Sequence, residues 1–357
     1  MHFGLKRVMF SAVAPVLACL LGAELVNGQA GPEQDLQLAS DVFINVPALG
    51  DIPVDEFMDT MGMFSNALNL NCTDCHTAGS MDTWAGFGEE TPKKVTTRNM
   101  IAMVNAINRD NFGGLRYVTC FTCHRGDERP AAVASLAVQY GTPIEDPNDY
   151  DVVPGFGTPS VDEVFDGYIE ALGGEAAVTQ LTSYVARGSY AGYDTDFAEV
   201  PVELFAKAPD QYATIIHGFY GDSVKTYDGT DAWISSADRP VPLLQFTGGN
   251  LEGSRLEALL AFPTQIQEAF RSWRVNYTAI DDVDVMVVQG SNPGELPVNL
   301  YFEESTGLLV RYVRWTETAV GTIPTEMSFS DYREVSGVQM PFQLDLRWTN
   351  GESIIIL

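Results

Sequence analysis

Cys72-Thr73-Asp74-Cys75-His76 and Cys120-Phe121-Thr122-Cys123-His124 share one form, Cys-x-x-Cys-His, and use four of the chain's five cysteines. Each run offers two thiols for the vinyl groups of a haem and, directly after them, an imidazole for the iron. A thioredoxin-like pair would stand at a strand-to-helix turn without the trailing histidine. Four thiolates suit zinc as well, but that reading leaves His76 and His124 without a role. The pattern therefore predicts two covalently attached haem c groups. Cys72, Cys75, Cys120 and Cys123 are the attachment points, and His76 and His124 are the iron ligands.

The remaining histidines limit the ligation. The chain has 4: His2, His76, His124 and His217. His2 lies in the N-terminal segment, and His217 sits in the apolar run Ile215-Ile216-His217-Gly218-Phe219, which reads as a strand with an ordinary structural histidine. Two bis-histidine haems cannot be built from one such chain. The sixth positions fall to methionine sulfur, to an open site or to a group from another chain. A thioether raises the reduction potential by favouring ferrous iron.

Methionines cluster ahead of both runs: Met58, Met61 and Met63 before the first, Met100 and Met103 before the second. From Pro53 to Leu68, apolar residues at Val54, Phe57, Met58, Met61, Phe64 and Leu68 follow helical spacing, and Pro53 suits a first turn. From Thr91 to Asn108 the pattern repeats, with Thr91 as cap and Val95, Met100, Met103, Val104 and Ile107 on the apolar face. Methionine on such a stripe ordinarily fills core. Spacing alone does not separate Met58 from Met61, or Met100 from Met103.

The stretch from about Val42 to Pro130 resembles half of the tetrahaem cytochrome subunit of photosynthetic reaction centres. The resemblance rests on Glu56-Phe57-x-x-x-Met61, Asn71-Cys72-Thr73-x-Cys75-His76, Arg98-x-Met100-Ile101-x-Met103 and Ala106-Ile107-Asn108. It ends with Val118-Thr119-Cys120-x-Thr122-Cys123-His124-Arg125-Gly126-x-x-x-Pro130. In that family each haem takes its axial methionine from the helix ahead of its motif, which implies Met61 for the first haem and Met100 for the second. The chain departs from the family in carrying one dihaem repeat rather than two. The family's extra histidine, which serves a haem of the other repeat, has no counterpart in the short loop from Asn108 to Arg116. Lys93, Lys94, Arg98 and Arg125 are the cations near the motifs; they suit haem propionates, or form ordinary solvated surface.

Residues 1–30 read as a secretory signal: Lys6-Arg7, an apolar run from Val8 to about Ala23, and a small-residue site at Gly28-Gln29-Ala30. Val16-Leu17-Ala18-Cys19 resembles a lipobox, which would make Cys19 a lipidated terminus, although Leu20-Leu21-Gly22-Ala23 continues the apolar run. The expectation is an exported protein, periplasmic or extracellular, soluble or lipid-anchored. The net charge of −28 argues against nucleic acid and anionic membranes. It suits partners with basic docking surfaces, or a salty habitat.

After Pro130 the chain changes character. Residues 141–160, with Pro143, Pro147, Pro154 and Pro159, read as a linker between a dihaem domain (31–140) and a second domain (161–357). A helix from Val161 to Leu172 ends at Gly173-Gly174. Alternating runs then follow, among them Val200–Phe205, Thr214–Phe219, Val283–Val288, Val298–Phe302, Leu308–Trp315 and Gln343–Trp348. Asp228-Gly229, Thr306-Gly307, Ser336-Gly337 and Asn350-Gly351 mark turns, and a helical break is expected from Leu256 to Phe270. The fold expected is a mainly α haem domain with little regular sheet, then an α+β domain with a large antiparallel sheet or half-open β-barrel. Lys207-Ala208-Pro209, Tyr227-Asp228-Gly229-x-x-x-Trp233 and Phe302-x-x-x-Thr306-Gly307-Leu308 are similar to periplasmic lipoprotein carriers, whose incomplete barrels hold lipid chains. The terminal Ile354-Ile355-Ile356-Leu357 is an inner strand, a strand that pairs with another molecule, or part of an incomplete sequence.

These features favour electron transfer between a donor and an acceptor protein, with no catalysed bond chemistry. A dihaem peroxidase would need a distal acid or base, and no histidine stands near either motif for it. The third reading is a binding module whose β-domain holds a lipid, a quinone or a protein partner, including further copies of itself in a homo-oligomer or filament.

Overall fold

The computed structural model describes residues 36–141, 152–236 and 240–357. The expected signal segment with Cys19, and half of the expected linker, lie outside them. Gln37 to Leu357 packs as one unit.

The first part is helical. It contains α1 (Ala39–Val42), α2 (Val54–Leu68), α3 (Cys72–Cys75), α4 (Pro92–Asn111), α5 (Cys120–His124) and α6 (Leu136–Tyr140), with 3-10 turns at Ala78–Met81 and Trp84–Gly88. Pro53 precedes α2, and Asn69 closes it in the left-handed conformation, as an asparagine tolerates at a helix end. Thr91 caps α4 by accepting from the Lys94 N–H, with Pro92 at the first helical position. Both helices match the expected spans, α4 running three residues further.

Two helices, α7 (Val161–Ala171) and α8 (Glu175–Gln180), lead into the sheet. The strands are β1 (Ser183–Gly192), β2 (Val200–Lys207), β3 (Gln211–Gly218), β4 (Gly221–Tyr227), β5 (Ala232–Ser236) and β6 (Leu243–Gln245). After α9 (Gly248–Ala261) come β7 (Ser272–Ile280), β8 (Val283–Ser291), β9 (Val298–Glu303) and β10 (Leu309–Thr318). The last are β11 (Gly321–Val335), β12 (Val338–Trp348) and β13 (Gly351–Ile356). All pairings among the described residues are antiparallel, in the order β6-β5-β4-β3-β2-β1-β13-β12-β11-β10-β9-β8-β7. The sheet has two edges, β6 and β7, and does not close. A mainly helical region followed by a large open antiparallel sheet is the expected fold class.

Two local expectations are sharpened. The terminal strand β13 is inner, with Ile354 paired to Ala191 on one side and Asp345 on the other. The helical break begins at Gly248 rather than Leu256, and its α-helix stops at Ala261 before a 3-10 turn from Pro263 to Ala269. Two glycines at its start hide it from a propensity reading; a buried carboxylate from α2 holds that start, and Pro263 ends the regular turns.

The main core joins α7, α8 and α9 to the sheet through Val164, Phe165, Tyr168, Leu256, Val288, Phe302 and Tyr312. A second core is shared between the helical part and one sheet end: Phe57, Met63 and Ile101 pack with Val320 and Ile323 of the β10–β11 hairpin. At Gly62, an added Cβ would stand 2.8 Å from Thr349 Oγ1, so α2 lies close against the β12–β13 turn and a larger residue there would displace the Thr349 side chain.

Candidate haem sites

Each Cys-x-x-Cys-His run forms a single helical turn built by its own cap. Asn71 accepts from the Asp74 N–H, and the Asp74 carboxylate accepts from the Asn71 N–H. Thr119 and Thr122 make the same reciprocal pair ahead of Cys120. The spacing therefore places both thiols of a run on one short helix, with its histidine at the end.

The histidines are oriented alike. His76 Nδ1 lies 3.1 Å from the Phe87 carbonyl, and His124 Nδ1 lies 3.0 Å from the Asp127 carbonyl. A carbonyl only accepts, so each Nδ1 carries the proton and each Nε2 keeps its lone pair. This is the tautomer an iron ligand needs, fixed from the far side of the ring. The Phe87 carbonyl also accepts from Lys94 Nζ at 2.9 Å, and the Thr91 hydroxyl donates to the Cys75 carbonyl at 2.7 Å. The start of α4 thus braces the first motif. Burial, with the nearby Lys94 cation as a smaller cause, holds the His76 pKa below the usual histidine range.

Beside the first motif lies an apolar cavity of about 450 Å³. Cys72, Cys75 and His76 border it, and Met58, Met61 and Phe64 of α2 face it together with Ile101 of α4. The donor set and lining fit a haem: two thiols, one imidazole of the right tautomer, thioethers from a neighbouring helix, and hydrocarbon walls. Both Met58 and Met61 reach this cavity; Met63 instead is core, against Val320 and Ile323.

The second motif has a more open setting. Cys123 is exposed, and burial pushes the Cys120 thiol up to about 11. Met100 and Met103 lie exposed on α4, Phe112, Leu115 and Tyr117 are exposed between α4 and α5, and Phe121 is exposed on α5 itself. Buried Asn108 ties these parts together: its Nδ2 donates to the Val118 carbonyl and its Oδ1 accepts from the Val118 N–H. Among the described residues no group of three or more His, Cys, Asp or Glu side chains is placed to hold a metal ion. The four cysteines are not assembled as a zinc site.

Lys93, Lys94 and Arg98 have partners within the chain. Lys93 pairs with Glu128 at 2.9 Å and Arg98 with Glu90 at 2.5 Å. Lys94 and Arg98 border the first cavity, and Arg125 closes α5 in the left-handed conformation. His217 is partly exposed on β3, its Nδ1 2.9 Å from Asp222.

The residues that seat α2 were missed in the sequence reading. Asp55 accepts from the Thr247 N–H at 2.6 Å and from its hydroxyl at 3.0 Å, and Asp59 accepts from Asn250 at 2.7 Å. Two acids one turn apart, Asp55 and Asp59, beside the apolar stripe of α2 were the available signal.

Comparison with known proteins bears on the same region. Residues 22–144 match the family described as photosynthetic reaction centre cytochrome C subunit. The photosynthetic reaction center cytochrome c subunit of Roseobacter denitrificans is 34% identical over 110 residues, 29% of this chain and 29% of that protein. Its counterpart in Thermochromatium tepidum is 36% identical over 96 residues, 26% of this chain and 22% of that one. The chain thus spans less than a third of the length of the curated relatives it matches. Among solved structures, a LolA superfamily protein from Nitrosomonas europaea aligns with a TM-score of 0.38 and 12% identity, covering 56% of this chain and 91% of that one. A DUF1329 family protein from Desulfovibrio piger gives 0.36 and 10%, with 56% and 91% covered.

Proposed function

We propose that this protein carries electrons outside the cytoplasm through two haem c groups, attached at Cys72 and Cys75 and at Cys120 and Cys123. The haems supply one-electron exchange between ferrous and ferric iron. His76 and His124 each offer Nε2 to an iron while a backbone carbonyl holds the opposite nitrogen. Met61 and Met100 supply the sixth ligands, and their thioethers raise the potentials. The chain performs no bond chemistry of its own. The dihaem part spans 31–140, a linker 141–160, and the β-domain 161–357; residues 1–30 direct export.

The observation that carries this reading is the repeated unit of Cys-x-x-Cys, histidine and carbonyl. The cavity beside the first unit and the similarity to reaction centre cytochromes support it. Alkaline pyridine spectroscopy of the purified protein should give two haems c per chain. Redox titration should resolve two one-electron waves, and the reduced protein should leave carbon monoxide unbound. A single haem, or a five-coordinate iron that binds carbon monoxide, contradicts it.

One observation favours a second role for the β-domain. Under α7, α8 and α9 lies an apolar cavity of about 360 Å³, bordered by Tyr168, Tyr184, Tyr212, Tyr312, Leu344 and Glu257. The Tyr312 hydroxyl lies buried beside Glu257 and Arg314, a polar spot in an apolar cavity that would orient a ligand oxygen. A lipid or quinone held there would make the protein a haem-linked binding module. Native mass spectrometry detecting such a molecule on the intact protein supports this role; a bare chain argues against it.

A further inference from the structure

We infer that the loops at the haem-bearing end of the sheet form a docking rim for a basic redox protein; this rests on the electron-transfer reading above. The strand register sets the geometry. Gly192 pairs with Ser353, Tyr190 with Val200, Gly218 with Gly221 and Ser223 with Ser236. The β12–β13, β1–β2, β3–β4 and β5–β6 connections therefore emerge at one end of the sheet in that order. Successive connections are two strand spacings, about 10 Å, apart. The outermost two reach the first haem site, since Asn350 and Pro240 both border its cavity. The inner two lie between them.

Those inner connections carry an unusual surface. Tyr193 is 58% exposed, Phe197 53%, Phe219 64% and Tyr220 81%. Four uncovered aromatics on two neighbouring tips are the composition of an interface core. Their surroundings are acidic: Asp194, Asp196 and Glu199 in one connection and Asp222 beside the other, with no lysine or arginine in either. His217, which faces Asp222 and Glu203, has its pKa raised chiefly by its hydrogen bond to Asp222. Arg187 is paired with Glu203.

Charge selects the occupant. The chain has a net charge of −28, so a second copy, or an anionic membrane, is repelled from a face that is itself acidic. A redox protein with a lysine-rich margin around an apolar centre is attracted, and it would dock at the end of the sheet whose outer connections border the first motif's cavity. One electron passes from a ferrous haem of this protein to a ferric haem of the partner, with no other reactant.

The test uses the intact haem-loaded protein and mitochondrial cytochrome c, a lysine-rich haem protein, as probe. The reduced protein is mixed with ferric cytochrome c in a stopped-flow instrument at several ionic strengths. Phe219→Ser with Tyr220→Ser should lower the second-order rate constant about tenfold at low salt. Asp196→Asn with Glu199→Gln should make its salt dependence shallower. Phe156→Ser removes a still more exposed aromatic beside β7, at the far edge of the sheet, and should leave the rate unchanged. Oxidation by tris(1,10-phenanthroline)cobalt(III), a small oxidant of higher potential that needs no docking surface, should be the same in the aromatic variant. Failure of the wild type to react with the cobalt complex overturns the electron-transfer reading itself. Reaction with the cobalt complex but no salt-dependent reaction with cytochrome c overturns the rim, as does an equal loss in Phe156→Ser. A wild-type dimer in light scattering that the rim variants dissociate also overturns it, by assigning the surface to a second copy.

Discussion

The side chain of Asn108 makes two hydrogen bonds to the backbone of Val118, donating to its carbonyl at 2.7 Å and accepting from its N–H at 2.9 Å. This amide joins the last turns of α4 to the segment that leads into Cys120, and it is nearly inaccessible to water. Replacing Asn108 with leucine keeps the bulk and orphans both backbone groups. The expected cost is about 2–4 kcal/mol, read by urea denaturation. The second haem should also titrate less sharply than the first, because the geometry before its motif is loosened.

Asp55 and Thr247 form the equivalent joint between α2 and α9. The carboxylate caps a helix start that has no side-chain cap of its own. Asp55→Ala should destabilise the protein by about 2–3 kcal/mol. Thr247→Ala should cost less, because the backbone N–H still donates. A double-mutant cycle should then give clear coupling between the two.

Burial pushes the Asp59 carboxyl up to about 6, against the lowering effects of Asn250 and Arg314, with Asp55 and Glu56 adding repulsion. The folded chain therefore binds this proton more tightly than the unfolded chain. Its contribution is present below about pH 4 and lost as the pH rises through about 6. Asp59→Asn should remove that slope and make the protein more stable at pH 7 by about 2 kcal/mol. Thermal melts from pH 4 to 7 compare the two.

Met61→His and Met100→His should each lower the potential of one haem and leave the other in place. Met58→Leu and Met103→Leu should shift neither by a comparable amount. Potentiometric titration of the four variants decides the ligand assignment. Low potentials in the Met58 or Met103 variants would transfer the role to those residues.

Much of the haem region was legible because its determinants are local. The two motifs, their capping partners Asn71 and Thr119, and the helices from Pro53 and Thr91 all lie within a few positions of the structure they specify. Alternation likewise announced β2, β3, β8, β9, β10 and β12. The start of α9 was not legible, because Asp55, which holds it, is 192 positions away from Thr247.

The sequence alone marks four cysteines as candidate haem attachment points, two histidines as candidate ligands and methionine as the available partner, since covalent chemistry and residue counts do not depend on the fold. Tertiary structure decided what those residues rest on. The Phe87 and Asp127 carbonyls orient the imidazoles, and the Asp55–Thr247 joint seats α2. It also decided that the terminal strand lies inside the sheet and that the aromatic tips stand at the same end of the sheet as the β12–β13 turn beside α2. These are products of register and packing between distant segments, and no local pattern contains them.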